Sequence, residues 1–73
     1  MLRVRIVPSP KLARNSKVGR EGGEVSLPGG GRVRDLLHEI GLFEEEVRRV
    51  LVNGKRARLD TSLKRGDVVN LEG

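Results

Sequence analysis

The sequence predicts an α+β domain in which one β-sheet is covered on one face by a single helix. Three patterns support this prediction. Leu2–Ile6 alternates apolar and basic residues, Val33–Ile40 places apolar residues at helical spacing, and Asn53-Gly54 joins two strand-like runs. An isolated hairpin cannot bury its apolar face, so the earlier strands and the helix must pack against it.

The first strand is predicted over Leu2–Val7. Its period-2 alternation turns Arg3, Arg5 and Val7 away from the core. The polar, basic segment Ser9–Gly23 follows, and it closes with several glycines. Because this segment has too few apolar residues to offset the entropy of ordering it, we predict a mobile basic loop at residues 9–23.

The middle of the chain is predicted to contain a short strand and the helix. Glu24–Pro28 alternates as a strand, and Val33–Ile40 is the helix, with Gly41 as its C-terminal stop. We expect Leu42 and Phe43 to fold back on the end of the helix, ahead of an acidic helical turn.

The last third of the chain is predicted to be a hairpin, a turn and a final strand. Asn53-Gly54 is typical of a type I′ turn, which requires positive φ at both central residues. Lys64–Asp67 forms a second turn before the strand Val68–Leu71. The predicted core consists of Leu2, Val4, Ile6, Val25, Leu27, Val33, Leu36, Leu37, Ile40, Val50, Val52, Leu59, Leu63, Val69 and Leu71.

Composition narrows the classes of function. A chain of 73 residues forms one small domain, residues 1–73, and its lack of cysteine excludes disulfides and thiolate metal sites. His38 has no second histidine to complete a metal site, and Thr61 and Ser62 have no partner base. We therefore expect no metal, no bound cofactor and no catalysis by the chain itself.

The charge and the hydropathy indicate the kind of partner. A formal net charge of +5 attracts anionic molecules. No apolar run approaches the roughly 20 residues of a membrane span, and no signal-peptide core is present. The sequence therefore predicts a cytoplasmic protein with no membrane partner.

One apolar group is predicted on the open face of the sheet. If Val50 and Val52 face the helix, alternation turns Leu51 to the other side, alongside Val7 and Val68. A contiguous exposed apolar patch usually marks a partner surface. Val7, Leu51 and Val68 are therefore the predicted partner-binding patch.

Four segments together resemble a known family. They are EVSLP from Glu24, RVRDLLHEIGL from Arg32, VLVNGK from Val50 and LDTSLKRGDVVNL ending at Leu71. In this order they look like the ubiquitin-like β-grasp sulfur carriers of thiamin and molybdopterin synthesis, the ThiS/MoaD family. The resemblance implies a β-grasp fold, with a mixed sheet of four to five strands and one packed helix.

The resemblance also implies a mechanism. Family members end in Gly-Gly, and an adenylating enzyme of the ubiquitin-activating type uses ATP to activate the terminal carboxylate, which becomes a thiocarboxylate. Gly73 matches the terminal glycine and would be the carrier terminus, whereas Glu72 stands where the family has the other glycine. In the family, the open sheet face meets the activating enzyme.

Two alternatives remain open from the sequence. The first is a β-grasp module that binds protein without transferring sulfur. The second is a small RNA-binding domain, favoured by basic residues on the predicted strands and hairpin and disfavoured by the single aromatic residue, Phe43. The candidate anion or RNA contacts are Arg3, Arg5, Arg48, Arg49, Lys55, Arg56 and Arg58.

Overall fold

The computed structural model describes residues 2–14, 22–27 and 31–73. In chain order the elements are β1 (Leu2–Pro8), α1 (Pro10–Ala13), β2 (Gly23–Leu27), α2 (Val33–Glu39), a 3-10 turn (Glu44–Glu46), β3 (Arg49–Val52), β4 (Lys55–Ala57) and β5 (Val68–Glu72). The five strands form one sheet in the order β2-β1-β5-β3-β4.

The sheet is mixed because its central strand, β5, runs parallel to one of its two neighbours, β1. β1 pairs with β5 in parallel, and the other neighbours are antiparallel. Val69 of β5 lies between Ile6 of β1 and Val52 of β3, so the three side chains form a row on the inner face. The predicted α+β architecture of a mixed sheet with a packed helix is confirmed.

The core lies between the inner face of the sheet and α2. Most of the predicted core residues are buried, and Leu2, Val25, Val52 and Leu59 are partly buried against the cluster. Two leucines that the pattern did not place in the core, Leu12 and Leu42, are only 1% and 2% exposed. Leucines outside the predicted strands and the predicted helix therefore complete the core.

Backbone hydrogen bonds to the loop after β4 hold the first turn of α2 in place. The N–H groups of Val33 and Arg34 donate to the carbonyl oxygens of Thr61 (3.0 Å) and Leu59 (2.9 Å). The Arg32 N–H donates to Asp35 Oδ2 at 2.9 Å. The donors that a helix start leaves unpaired are thus satisfied by the chain that follows β4.

The end of α2 corrects one prediction. Gly41 has the predicted left-handed conformation, with φ of +82°, and Leu42 N–H donates to Leu37 O at 2.9 Å. Leu42 folds back as expected, but Phe43 is 69% exposed. The chain leaves the helix in an extended conformation at Phe43, which turns its ring outward.

The two predicted turns contact each other. Asn53 and Gly54 have φ of +53° and +82°, as a type I′ turn requires. The Asn53 side chain donates through Nδ2 to Asp67 Oδ1 at 2.8 Å and accepts the Val68 N–H through Oδ1 at 2.9 Å. Asn53 therefore shapes the hairpin and also joins it to the turn before β5.

The segment after β1 differs from the predicted loop. Pro10–Ala13 forms the short helix α1, in which Leu12 and Ala13 are buried. Proline is preorganised for the first turn of a helix, and Leu12 gains enough buried surface to hold that turn in place. Residues 15–21 of the predicted loop lie outside the described residues, so the mobility of that stretch stays a prediction.

Candidate functional site

The predicted partner-binding patch lies on the open face of the sheet. Val7, Asn70, Leu51 and Arg56 are cross-strand neighbours in one row over β1, β5, β3 and β4. Val68 lies two residues before Asn70 on the same side of β5. Alternation in three strands therefore brings the three predicted apolar residues onto one surface.

The patch is accessible but not uniformly apolar. Val7 is 41% exposed, and Leu51 and Val68 are half-buried. Asn70 is half-buried between Val7 and Leu51, with an amide that can both donate and accept. Asn70 was not among the residues predicted for this patch, although its spacing of two residues from Val68 places it on the same face. The patch thus combines apolar contact with one central polar group.

An ion pair lies beside the patch. Arg49 and Glu72 are opposite each other on β3 and β5, and both guanidinium contacts are short, with Nε–Oε2 at 2.7 Å and Nη2–Oε1 at 2.9 Å. The hydrogen bond and the charge of Glu72 raise the pKa of Arg49 above its ordinary value. Glu72, at the position where the resembling family has glycine, therefore has a structural partner here.

The last residue, Gly73, lies against the inner side of the fold. Its N–H donates to the Ser9 hydroxyl at 3.3 Å, and the preceding carbonyl of Glu72 accepts the Arg48 N–H at 2.8 Å. A Cβ at Gly73 would lie 3.1 Å from two Leu12 side-chain carbons and 3.3 Å from Glu46 O. A side chain at this position would therefore require Leu12 or the Glu46 carbonyl to shift by a few tenths of an ångström.

The basic residues predicted as anion contacts form more than one group. Arg3 and Arg5 lie outward on β1, where Arg3 Nε is 3.8 Å from Glu24 Oε2 on β2. Lys55 begins β4, directly after the hairpin turn. Arg49 and Arg56 instead line one cleft together with Arg48 and Arg58. The structure thus separates the β1 arginines from an arginine-lined cleft at the β3–β4 end of the sheet.

No catalytic constellation is apparent in the part of the chain that the structure describes. Within it, no group of three or more His, Cys, Asp or Glu side chains is arranged to hold a metal ion. His38 is exposed on α2. Among the same residues, no helix is long and apolar enough to cross a membrane. The candidate functional sites are therefore the open face, the end of β5 and the arginine-lined cleft.

The fold defines a ubiquitin-like β-grasp domain. Of the solved structures that match, one from Pyrococcus furiosus is described as a molybdopterin converting factor, subunit 1; it is 29% identical, with a TM-score of 0.76, over 99% of this chain and 97% of that one. Small archaeal modifier protein 1 of H. volcanii matches at 21% identity and a TM-score of 0.78, over 99% and 97% of the two chains. Another structure of this modifier, SAMP1 from Haloferax volcanii, gives 21% identity and 0.73, over 94% and 91%. No protein-family model matches the sequence, and a search of curated proteins finds no significant match.

These neighbours confirm the predicted resemblance to the MoaD-like ubiquitin-like proteins. The similarity spans nearly the whole chain, with 99% of this chain and 97% of the Pyrococcus furiosus protein covered. The two modifier structures support the fold alone, since their identity to this chain is 21%. The proteins that this chain resembles are therefore small ubiquitin-like domains.

Proposed function

We propose that this protein is a ubiquitin-like sulfur carrier, activated at Gly73 by a partner adenylating enzyme. The observation that supports the proposal most is the similarity to molybdopterin converting factor subunit 1, at 29% identity over 99% of the chain. The name of that neighbour favours the molybdopterin type over the thiamin type. Because activation requires ATP, the proposal also assigns the protein to the cytoplasm.

The open face is the proposed docking surface for the activating enzyme. Val7, Leu51 and Val68 supply apolar contact area around Asn70, and the Arg49–Glu72 pair flanks them. An interface of this kind has an apolar centre and a polar rim, and its central residues contribute most of the binding free energy. Leu51 lies between Asn70 and Arg56 in the cross-strand row and is therefore the proposed anchor.

In the proposed reaction this chain contributes only the carboxylate of Gly73. In the proposed reaction a carboxylate oxygen of Gly73 attacks the α-phosphorus of ATP, and pyrophosphate leaves with the electrons of the broken P–O bond. A hydrosulfide nucleophile supplied by a partner then attacks the carbonyl carbon, AMP leaves, and the product is a thiocarboxylate. Both steps take place in the partner's active site, so this chain needs no catalytic base.

The end of β5 must separate from the domain before it can enter that site. The contacts that hold it include Arg48 N–H to Glu72 O, Gly73 N–H to Ser9 Oγ, and the Arg49–Glu72 pair. A typical hydrogen bond contributes only about 1 kcal/mol net, so a docked enzyme can offset the loss of these contacts. We therefore expect docking on the open face to accompany release of Gly73.

Intact mass tests the proposal. Incubation with an adenylating enzyme that activates a MoaD-like carrier, ATP and sulfide should release pyrophosphate and raise the mass of the chain by about 16 Da, because sulfur replaces oxygen. Matched controls omit ATP or use a chain that stops at Glu72, and neither should change in mass.

The result also distinguishes a sulfur carrier from the alternative, a β-grasp module that binds protein without transferring sulfur. If the enzyme binds the chain but releases no pyrophosphate and leaves the mass unchanged, the protein is a binding module and the carrier proposal is wrong. The same mass measurement on protein isolated from its own cells would show whether the thiocarboxylate forms there.

A further inference from the structure

A cleft lies at the end of the β3–β4 hairpin, where the two strands separate. Their paired residues end at Val50 and Ala57, and beyond this pair the chain segments 47–49 and 58–59 form the two walls. The cleft has a volume of about 550 Å³. This volume is within the range of roughly 300 to 1,000 Å³ that is usual for small-molecule sites.

Both walls of the cleft are held by backbone hydrogen bonds. On one wall the Arg48 N–H donates to Glu72 O at 2.8 Å. On the other, the Arg58 N–H donates to Thr61 Oγ1 at 2.9 Å, and the Thr61 N–H returns to Arg58 O at 3.1 Å. The Cα positions of the two arginines are therefore fixed before any ligand arrives.

Four arginines line the cleft, and among the residues that the structure describes only one of them has an acidic partner. Arg49 is paired with Glu72. Within residues 2–14, 22–27 and 31–73, no acidic side chain forms an ion pair with Arg48, Arg56 or Arg58. Three positive charges around one cleft repel each other, so a bound anion would be stabilised there.

The chemistry of the lining indicates phosphate. A phosphate group offers several oxygen acceptors that different guanidinium groups can share, whereas one bidentate arginine can contact both oxygens of a carboxylate, as Arg49 does with Glu72. Val47, Ala57 and Leu59 are half-buried and add apolar surface between the charges. A ligand with a phosphate and a flat, weakly polar group would use both parts of the lining.

We propose that this cleft binds the phosphate of a nucleotide, either free or within single-stranded RNA. The cleft adjoins the proposed docking surface, because Arg56 belongs to the open-face row and Arg49 flanks it, but the side chains of Arg48 and Arg58 have no part in the proposed carrier chemistry. A bound phosphate would bridge the two walls, and the base or sugar would lie against Val47, Ala57 and Leu59. With no aromatic residue in the lining, binding would depend on the phosphate and show little preference among bases.

Titration of the full chain tests the proposal. The probes are inorganic phosphate, uridine monophosphate, a short oligouridylate and a polyglutamate peptide of matched charge. Calorimetry measures the affinity for each probe, and changes in amide chemical shifts locate the binding site. We expect the nucleotide or the oligonucleotide to bind more tightly than inorganic phosphate and polyglutamate, with shifts concentrated in residues 47–50 and 56–59. Binding of both probes with equal affinity indicates a free nucleotide, and binding of the oligonucleotide alone indicates RNA.

Paired variants give the decisive comparison. Replacing Arg48→Gln and Arg58→Gln together should weaken binding by about tenfold or more, because two charge-assisted contacts are lost. The matched control, Arg14→Gln with Arg65→Gln, removes the same charge from exposed residues elsewhere and should change the affinity by less than about twofold. Thermal unfolding of both variants checks that the fold is unchanged, which their exposure predicts.

Salt dependence adds a second readout. For the oligouridylate, the slope of log affinity against log salt should fall by about 1 to 2 in the cleft variant, since up to two phosphate contacts are removed. Equal weakening by the cleft and control variants would overturn the proposal, as would polyglutamate binding as tightly as the oligonucleotide. Absence of binding by every nucleotide probe would overturn it as well.

Discussion

The two faces of the sheet differ in burial and in polarity. On the inner face, Ile6, Val50, Val69 and Leu71 are at most 5% exposed and pack with α2. On the open face, the same strands present Arg5, Val7, Asn70 and Glu72, with Leu51 and Arg56 beside them. Alternate residues of one strand therefore belong to two different sets, one packed and one in contact with solvent.

The inner face supplies most of the stability of the fold, and the open face supplies the groups that a partner can contact. Burial of apolar side chains is the dominant favourable contribution to the free energy of folding. A domain of 8.1 kDa can bury only a small core, so the loss of one core contact is a large fraction of its stability. Charged and polar side chains on the open face add little to stability but determine which partners can dock. Substitutions should accordingly change stability on the inner face and binding on the open face.

The largest effect on stability is expected at Leu37, which is fully buried on α2. Leu37→Ala should lower the free energy of unfolding by about 2 to 5 kcal/mol, because it removes buried methyl groups and leaves a cavity. Chemical denaturation measures the change. His38→Ala, next to it on the exposed side of the same helix, is the control and should change stability by less than about 0.5 kcal/mol. Similar stabilities for the two variants would show that the packed side of α2 is wrongly assigned.

A smaller effect is expected at Asn53, which belongs to neither face. Asn53→Ala loses the hydrogen bonds to Asp67 and Val68 and keeps a side chain at positive φ, so we expect a loss of about 1 to 3 kcal/mol. Asn53→Gly loses the same hydrogen bonds but tolerates the backbone conformation. Denaturation should therefore find the glycine variant the more stable of the two by about 1 kcal/mol. The reverse order would mean that backbone conformation does not limit this turn.

The elements with strong local signals could be predicted from the sequence. Asn53-Gly54 and Gly41 each require a conformation that few residues adopt, and the apolar spacing of α2 fits only a helix. The short helix α1 was missed because one four-residue turn has no periodicity, and it is held by the contact of Leu12 with the end of β5. Long-range packing of this kind leaves no local pattern.

The candidate site was predictable to a similar degree. Alternation correctly placed Val7, Leu51 and Val68 on the open face, since the facing of a strand follows from one known residue. The arginine-lined cleft was not predicted, although all four of its arginines were among the predicted anion or RNA contacts. The arginines lie around one cleft because β3 and β4 separate beyond Val50 and Ala57, and residue types alone do not determine where two strands separate.

Docking of an adenylating enzyme on the open face, as proposed, should be separable from folding, which depends mainly on the inner face. The affinity of that enzyme for Leu51→Arg, measured beside thermal unfolding, tests this separation. Ser26→Arg is the matched control, since Ser26 is exposed on the same face on β2, the outer strand beyond β1, and the change in charge is identical. We predict that Leu51→Arg lowers the affinity by at least about tenfold, because a charge at the centre of an interface cannot keep its water, while Ser26→Arg does not and both variants unfold as the wild type does. Equal affinities for the two variants, or unfolding of Leu51→Arg, would contradict the account.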